Sequence, residues 1–319
     1  MATDKHPRTL LEAVKFFSDK DVALQFVAAI KWPKGVVCPS CSSLDIGFLK
    51  TRRMWKCREC AKQFSAKVGT IFEDSPIGLE KWMPAMWMVV NCKNGISSYE
   101  LARALGVTQK TAWFMLHRIR LAMQAKTFRK LQGTVEVDES FIGGRSRFMH
   151  ADKRKRLGMR EGRAIAGKVV VMGLLERHGN HDSLVRLEVL SQLQKQTFHR
   201  TIRKHVETGS TLNTDSFKSY NGLTDEYMHG VVDHAEAYVN GQIHTNGVEN
   251  FWSLLKRSLK GTYVSVEPFH LFRYLDEQAY RFNNRKDNDL GRFIGAVKGI
   301  LGKRVTYTAL TGSELPQTC

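Results

Sequence analysis

The sequence predicts a mixed α/β fold preceded by a four-cysteine ribbon and a helical region. Three observations predict it: two C-x2-C pairs near the amino terminus, apolar residues at helical spacing after them, and strand-like runs that alternate with helix-like runs from Thr134 onward. We therefore divide the chain into an N-terminal helix with the ribbon over 1–75, a helix-turn-helix region over 76–130, the α/β domain over 131–290 and a C-terminal tail over 291–319.

The chain carries a large positive charge. Its 319 residues include 49 lysines and arginines against 31 acidic residues, which gives a net charge of +18 at pH 7. Such an excess attracts polyanions, so we expect nucleic acid as the first partner. A membrane surface comes second, and a charge kept only for solubility is the remaining alternative. No apolar run approaches the ~20 residues of a membrane span, and no secretory signal opens the chain. We expect a cytoplasmic protein with no membrane partner.

Residues 8–31 carry apolar residues at helical spacing and predict a helix. The ribbon follows, with the cysteine pattern C-x2-C-x15-C-x2-C. Two such pairs can hold one tetrahedral zinc ion, and a site with four protein ligands is closed and therefore structural. Two disulfides, which a reducing compartment disfavours, or thiols without metal are the alternatives. The predicted zinc ligands are Cys38, Cys41, Cys57 and Cys60.

A helix that opens near Leu79 leads to a second helical pair. Ser97 and Glu100 predict a capping box, Gly106 a tight turn, and Thr108 the cap of the next helix. This outline is typical of a helix-turn-helix, whose second helix presents its first residues to the major groove. A plain helical hairpin between two domains is the alternative. The predicted DNA contacts on this helix are Gln109, Lys110, Thr111 and Arg118.

The remaining pattern is a meander of strands followed by alternating helix and strand, which is typical of a mixed α/β layout. In order we expect strands at 134–138, 168–176 and 183–190, a helix at 195–207, a strand at 211–215, and helices at 246–260 and 267–283.

The most basic stretch, residues 145–163, lies between the first two predicted strands. It holds eight lysines and arginines against two acidic residues. Such a loop can close over a phosphate backbone, and a merely solvated loop is the alternative. The predicted DNA contacts in it are Arg154, Lys155 and Arg156.

Three carboxylates stand out in the α/β region. Asp138 ends the first predicted strand, Asp215 ends a later one, and Glu249 lies on a predicted helix. Carboxylates gathered in this way suit two hard divalent cations, which stand ~4 Å apart for in-line displacement at phosphorus. The alternative is that each Asp is a turn or cap residue, the more common role at a strand end.

The helix of Glu249 also carries cations. Lys256 follows seven residues later, which places it on the same helix face about 10 Å away. We therefore expect Lys256 and Arg257 to bind DNA phosphate beside the metals. Trp252 falls on the buried side with other apolar residues, so we expect it to be a core residue.

Several segments, taken together and in order, resemble one known family. They are the cysteine pattern and the stretches KWMPAMWMVVNCKNGISSYELARALGVTQKTAWFMLHRIR, TVEVDESFIGG, NTDSFKSY, HTNGVENFWSLLKR and HLFRYLDEQAYRFNNR. They are similar to those of the ISXO-type insertion-sequence transposases, relatives of the eukaryotic Merlin elements. The resemblance covers about residues 15 to 285.

The resemblance implies a zinc ribbon, a helix-turn-helix linker and an RNase H-like domain of the Asp-Asp-Glu type. Such a domain cuts and rejoins DNA with two Mg²⁺ or Mn²⁺ ions. The family motifs place the catalytic acids on Asp138, Asp215 and Glu249, with Lys256 as the basic residue after the glutamate. Some members use Asn as the third ligand, so a contribution from Asn246 or Asn250 stays open.

We therefore expect a transposase that binds terminal inverted repeats and target DNA as a homodimer or larger assembly, on the bacterial nucleoid. A non-catalytic DNA-binding regulator derived from a transposase is the alternative from another class. A metal-dependent nuclease of the same fold is a third interpretation, and strand joining separates it from a transposase.

Overall fold

The structure is a computed structural model that describes residues 6–124, 129–143, 152, 168–177, 182–232 and 243–312. It divides into two compact units, Met1–Gln124 with Asn284–Cys319, and Ala125–Asn283. Within the described ranges, no helix combines the length and the apolar character needed to cross a membrane.

The described helices are α1 Leu10–Phe17, α2 Lys20–Lys31, α3 Leu79–Asn91, α4 Ser98–Leu105, α5 Gln109–Met123, α6 Lys195–His205, α7 Asn246–Ser258, α8 Leu271–Asn283, α9 Asp289–Lys298 and α10 Tyr307–Thr311. The strands are β1 Ile46–Leu49, β2 Met54–Cys57, β3 Gln63–Phe64, β4 Thr134–Ile142, β5 Val169–Glu176, β6 Leu184–Leu190, β7 Thr211–Asp215 and β8 Met228–Val232.

The predicted N-terminal helix over 8–31 is two helices, α1 and α2. Asp19 separates them, because its backbone is extended and its carboxylate accepts the N–H groups of Asp21 and Val22. An Asp in this position caps a new helix instead of continuing the old one. The ribbon that follows is an antiparallel sheet in the order β1-β2-β3, and the hairpin of β1 and β2 lies between the two cysteine pairs.

The helix caps predicted for α4 and α5 are confirmed. Ser97 and Glu100 form a reciprocal capping box at the start of α4, and Gly106 ends that helix in the left-handed conformation with φ of 60°. The Thr108 side chain accepts the backbone N–H of Thr111 at the start of α5. These contacts fix the turn between the two helices.

The C-terminal segment differs from the predicted tail, since its described part packs inside the first unit. Phe293 of α9 is fully buried, and its ring lies 5.6 Å from Phe17, 5.9 Å from Phe26 and 5.1 Å from Trp87. Further along, the Lys303 ammonium donates to the backbone carbonyl of Leu121, at the end of α5, at 2.7 Å. The segment therefore completes the aromatic core of this unit.

The second unit has a five-stranded mixed sheet in the order β6-β5-β4-β7-β8. β4 is central, antiparallel to β5 and parallel to β7. Apolar residues of β4, β5 and β7 pack with α6 on one face, and a second cluster from β5 and β6 packs with α7 and α8 on the other. This three-layer arrangement confirms the mixed α/β, RNase H-like class.

Two details of this unit differ from the sequence prediction. β4 continues through Glu139 and Ser140 to Ile142, because β5 pairs with it over that whole length. The short strand β8 was not predicted, since its sequence MHGVV contains a histidine and a glycine, yet it pairs with β7. The edge of the sheet is thus set by a neighbouring strand more than by local propensity.

Candidate functional site

The sheet register brings two of the predicted acids together. β4 and β7 run parallel and pair as far as Glu136 with Asn213, and two residues further along lie Asp138 and Asp215. Because the register is parallel, both carboxylates reach the same level of the sheet. Asp138 lies in the middle of β4, however, and not at its end as the sequence suggested.

A third carboxylate joins them that the sequence analysis did not single out. One oxygen each of Asp138, Glu139 and Asp215 lies within 4.8 Å of the others. The phenol of Tyr220 donates to Glu139 Oε2 at 2.8 Å. Neighbouring residues on a strand normally point to opposite faces, so nothing in the alternation of β4 predicts that Glu139 approaches Asp138. Its position directly after Asp138 was the only available signal.

The electrostatics of this group favour a bound cation. Burial, opposed by the Trp252 hydrogen bond and assisted by the charges of Asp215 and Glu249, raises the pKa of Asp138 to about 6. Burial, with the charges of Asp215 and Asp138, raises the pKa of Glu139 to about 7 despite the Tyr220 hydrogen bond. Carboxylates that repel one another in this way are stabilised in the ionised form by a divalent cation.

Glu249 stands beside this group but outside it. Its Oε1 accepts the hydroxyl of Thr245 at 2.8 Å, in the first turn of α7. Its charge is among those that raise the pKa of Asp138. The structure thus places two predicted acids within one tight group and the third on the adjacent helix.

The start of α7 is held by a buried carboxylate on the same strand as Asp138. Glu136 is 1% exposed, pairs with Arg177 at 2.6 Å and accepts the backbone N–H of Val248 at 2.9 Å. Arg177 also donates to the carbonyl of His244 at 2.6 Å. An anionic side chain at the amino end of a helix satisfies a free N–H and complements the helix dipole. Glu136 therefore fixes the helix that carries Glu249.

The four predicted ribbon cysteines come together in one cluster that could hold a metal ion. Their sulfurs lie within 4.8 Å of one another, with Cys38 and Cys60 separated by 3.6 Å and Cys41 and Cys57 by 3.5 Å. A tetrahedral ion with Zn–S bonds of about 2.3 Å separates its ligands by about 3.8 Å. All four are free thiols, so the disulfide alternative does not apply. The site has the donor set of a structural zinc ion.

The predicted DNA contacts on α5 have different environments. Lys110 is exposed, and its ammonium lies 4.7 Å from the ring centre of Tyr307. Gln109 donates to the Ser98 hydroxyl at 2.8 Å, and the hydroxyl of Thr111 lies 2.9 Å from that of Thr108.

The surroundings of Arg118 do not fit its predicted contact with DNA. It is 4% exposed, and its guanidinium donates to the backbone carbonyls of Ile71 at 2.9 Å and Glu73 at 2.7 Å. A buried guanidinium used in this way supports the fold and is not presented to DNA, so we leave Arg118 out of the proposed DNA contacts. The sequence did not predict the burial of Arg118, since helical spacing of charges does not separate a buried arginine from an exposed one.

Three of the other predicted DNA contacts, Arg154, Lys155 and Arg156, lie outside the described residues. On α7, Lys256 and Arg257 are exposed, and so are Asn246 and Asn250 in its first turns.

Comparisons with known proteins agree with these two sites. The profile of the ISXO2-like transposase domain matches residues 130–283, and that of the transposase zinc-ribbon domain matches residues 18–63. An uncharacterized protein in the transposable element ISH50 of Halobacterium salinarum is 27% identical over 256 residues, 77% of this chain and 85% of that protein. An uncharacterized transposase-like protein of Haemophilus influenzae is 33% identical over 97 residues, 30% of this chain and 78% of that protein.

The ribbon match contains all four cysteines, and the transposase-domain match contains Asp138, Glu139, Asp215 and Glu249. The cysteine cluster and the clustered acids thus lie within the two matched ranges. The chain belongs to the ISXO2-like family of insertion-sequence transposases.

Proposed function

We propose that this protein is an active DNA transposase that binds terminal inverted repeats and catalyses metal-dependent strand cleavage and strand transfer. The observation that carries the proposal is the convergence of Asp138, Glu139 and Asp215 within 4.8 Å, in a domain of a transposase family. A protein that only binds DNA has no need for three mutually repelling carboxylates at one point of a sheet.

In this proposal Asp138, Asp215 and Glu249 would hold two Mg²⁺ or Mn²⁺ ions, and Glu139 would be an additional ligand. The donor set fits, because carboxylate oxygens are the ligands that these hard cations prefer. Bound divalent cations would activate the attacking oxygen and stabilise the leaving oxygen during phosphoryl transfer. Asn246 and Asn250 are the further residues of α7 that offer an oxygen ligand.

The DNA partner would contact exposed cations on both units. Lys256 follows Glu249 on α7 and, with Arg257, would hold phosphate close to the acids. Lys110, at the exposed start of α5, with Gln109 and Thr111, would reach the major groove of an inverted repeat. Arg154, Lys155 and Arg156 complete the proposed phosphate contacts.

Two transposon ends must be joined to one target, so the working form would be a homodimer or a larger assembly. It would act in the cytoplasm, on the DNA of the nucleoid.

The test uses purified full-length protein and labelled duplexes of the DNA that flanks the gene. Mg²⁺ is withdrawn by dialysis in the presence of zinc, because a chelator would also strip the ribbon. We expect Mg²⁺-dependent nicking and joining in the wild type, and their loss in Asp138→Asn with duplex binding retained. The matched control is Asp225→Asn, an exposed acid in the same unit.

Each other outcome would favour a different site or a different function for this protein. Cleavage that survives in Asp138→Asn would show that the site is misassigned. Binding without any strand chemistry would favour the regulator, and cut ends without joined products would favour a nuclease.

A further inference from the structure

The Trp252 side chain links the core of the second unit to the acidic group. Trp252 lies on α7, three residues after Glu249, and is 4% exposed. Its indole Nε1–H donates to Asp138 Oδ2 at 2.9 Å. The sequence predicted a core residue, and Trp252 is buried, but it also contacts a carboxylate of the proposed catalytic site.

A glycine on the neighbouring strand gives this indole its place. Gly173 of β5 lies directly opposite Asp138 in the antiparallel ladder. A Cβ at position 173 would lie 2.6 Å and 2.9 Å from two ring carbons of Trp252, and 3.0 Å from a methyl of Val248. The indole therefore rests on the bare backbone of β5, beside the residue that accepts its N–H.

The hydrogen bond explains why this position holds a tryptophan. Phe251, the preceding residue, is fully buried in the same apolar cluster and fills it without any polar atom. A buried indole N–H needs an acceptor, and Asp138 supplies one oxygen. The other oxygen can bind a cation at the same time, because an ionised carboxylate accepts through both oxygens.

We propose that Trp252 is a positioning residue that orients Asp138 for metal binding, and that Gly173 is required because it leaves the space for the indole. This inference rests on the proposed function, since it assumes that Asp138 is a metal ligand. Groups that hydrogen-bond a metal ligand fix its orientation, and their loss typically weakens metal affinity by about 10-fold to 100-fold.

The test measures cation affinity directly. Full-length protein, loaded with zinc, is titrated with Mn²⁺ and the free ion is followed by electron paramagnetic resonance. Trp252→Phe keeps an aromatic ring but has no donor, and Gly173→Ala keeps the donor but displaces it. We expect both variants to weaken Mn²⁺ binding by about 10-fold or more. The matched control is Trp87→Phe, a buried tryptophan of the other unit, which should bind as the wild type does.

A second measurement tests whether the indole of Trp252 lies beside the bound cation. Tb³⁺, a hard cation with the same preference for oxygen ligands, emits when a nearby indole is excited. In the wild type we expect sensitised Tb³⁺ emission that is lost when Mg²⁺ displaces the Tb³⁺. Trp252→Phe should remove most of this emission, and Trp87→Phe should not.

Asp138→Asn distinguishes a failure of the proposed metal site from a failure of the positioning role of Trp252. If it loses the Mn²⁺ site while Trp252→Phe and Gly173→Ala bind with wild-type affinity, the positioning role is overturned and the proposed metal site stands. If Asp138→Asn itself binds Mn²⁺ as the wild type does, the metal site is wrong and the positioning role falls with it.

Discussion

Two carboxylates on β4, those of Glu136 and Asp138, have different surroundings. Glu136 is buried against Arg177 and the first turn of α7, whereas Asp138, two residues along, lies with two other acids. A buried charge with its counter-ion is structural, while a group of acids with raised pKa values is typical of a functional site.

Glu136→Gln tests the structural role. The change removes the charge that compensates Arg177, whose side chain is 16% exposed, and a broken buried pair costs about 3–5 kcal/mol. Glu226→Gln is the control, because its ion pair with Arg203 is exposed to solvent, with 52% of the Arg203 side chain and 32% of the Glu226 side chain accessible. Exposed pairs contribute little to stability. Denaturant unfolding measures both. Equal losses in the two variants would contradict a structural role for Glu136.

Glu188 predicts a stability loss in acid. Hydrogen bonds to His205 at 2.5 Å and Lys204 at 2.7 Å lower the pKa of Glu188 to about 2. A folded-state pKa below the unfolded value adds stability that is complete above pH 4.5 and is lost as the pH falls toward 2. With solvent screening we expect a loss on the order of 1–2 kcal/mol. In Glu188→Gln this part of the pH dependence should disappear from unfolding curves, and an unchanged slope would refute it.

Among the elements, α9 shows how a C-terminal helix becomes part of an N-terminal core. Phe293 fills the space between α1, α2 and α3, and α9 ends at Gly299 against the last turn of α5. A Cβ at Gly299 would lie 2.1 Å from the carbonyl oxygen of Ala122. Backbone atoms cannot give way as a side chain does, so this close approach requires glycine.

Gly299→Ala should therefore destabilise the first unit by about 1–3 kcal/mol, the usual cost of overpacking. Gly291→Ala, on the same helix, meets only ordinary contacts of 3.4 Å or more, and should be neutral or stabilising by up to about 1 kcal/mol. Thermal unfolding followed by tryptophan fluorescence compares them. A larger loss in Gly291→Ala than in Gly299→Ala would show that the contact with α5 is misplaced.

The net charge of +18 is the property of this protein from which we expect the salt dependence of DNA binding. Charges that face phosphate make affinity fall with salt, while buried charges do not. Lys110 and Arg118 lie on the same helix and differ in this respect, since one is exposed and the other is 4% exposed.

We expect the logarithm of the DNA association constant to fall linearly with the logarithm of salt concentration. Lys110→Ala should reduce that slope by about 1, as expected for one lost phosphate contact. Arg118→Ala should leave the slope unchanged and lower the free energy of unfolding, because two backbone carbonyls lose their donor. Fluorescence anisotropy at several salt concentrations measures the slopes. A reduced slope in Arg118→Ala would restore its predicted DNA contact.

Much of this protein follows from its sequence. Four cysteines at zinc-ligand spacing, the caps at Ser97 and Thr108, and the strand over 211–215 are local patterns, and local patterns are determined by backbone geometry and ligand chemistry within a few residues. The same holds for Asp138 and Asp215 as candidates, since each ends a predicted strand.

The rest depends on contacts between distant parts of the chain. The parallel register of β4 and β7 decides that Asp138 meets Asp215, and the tertiary fold adds Glu139 and Trp252 to that group. It also buries Arg118. Phe293 packs in a core with aromatic residues that lie 200 or more positions earlier in the sequence. Periodicity and charge report what a residue prefers locally, but burial and pairing are set by which neighbours the fold supplies.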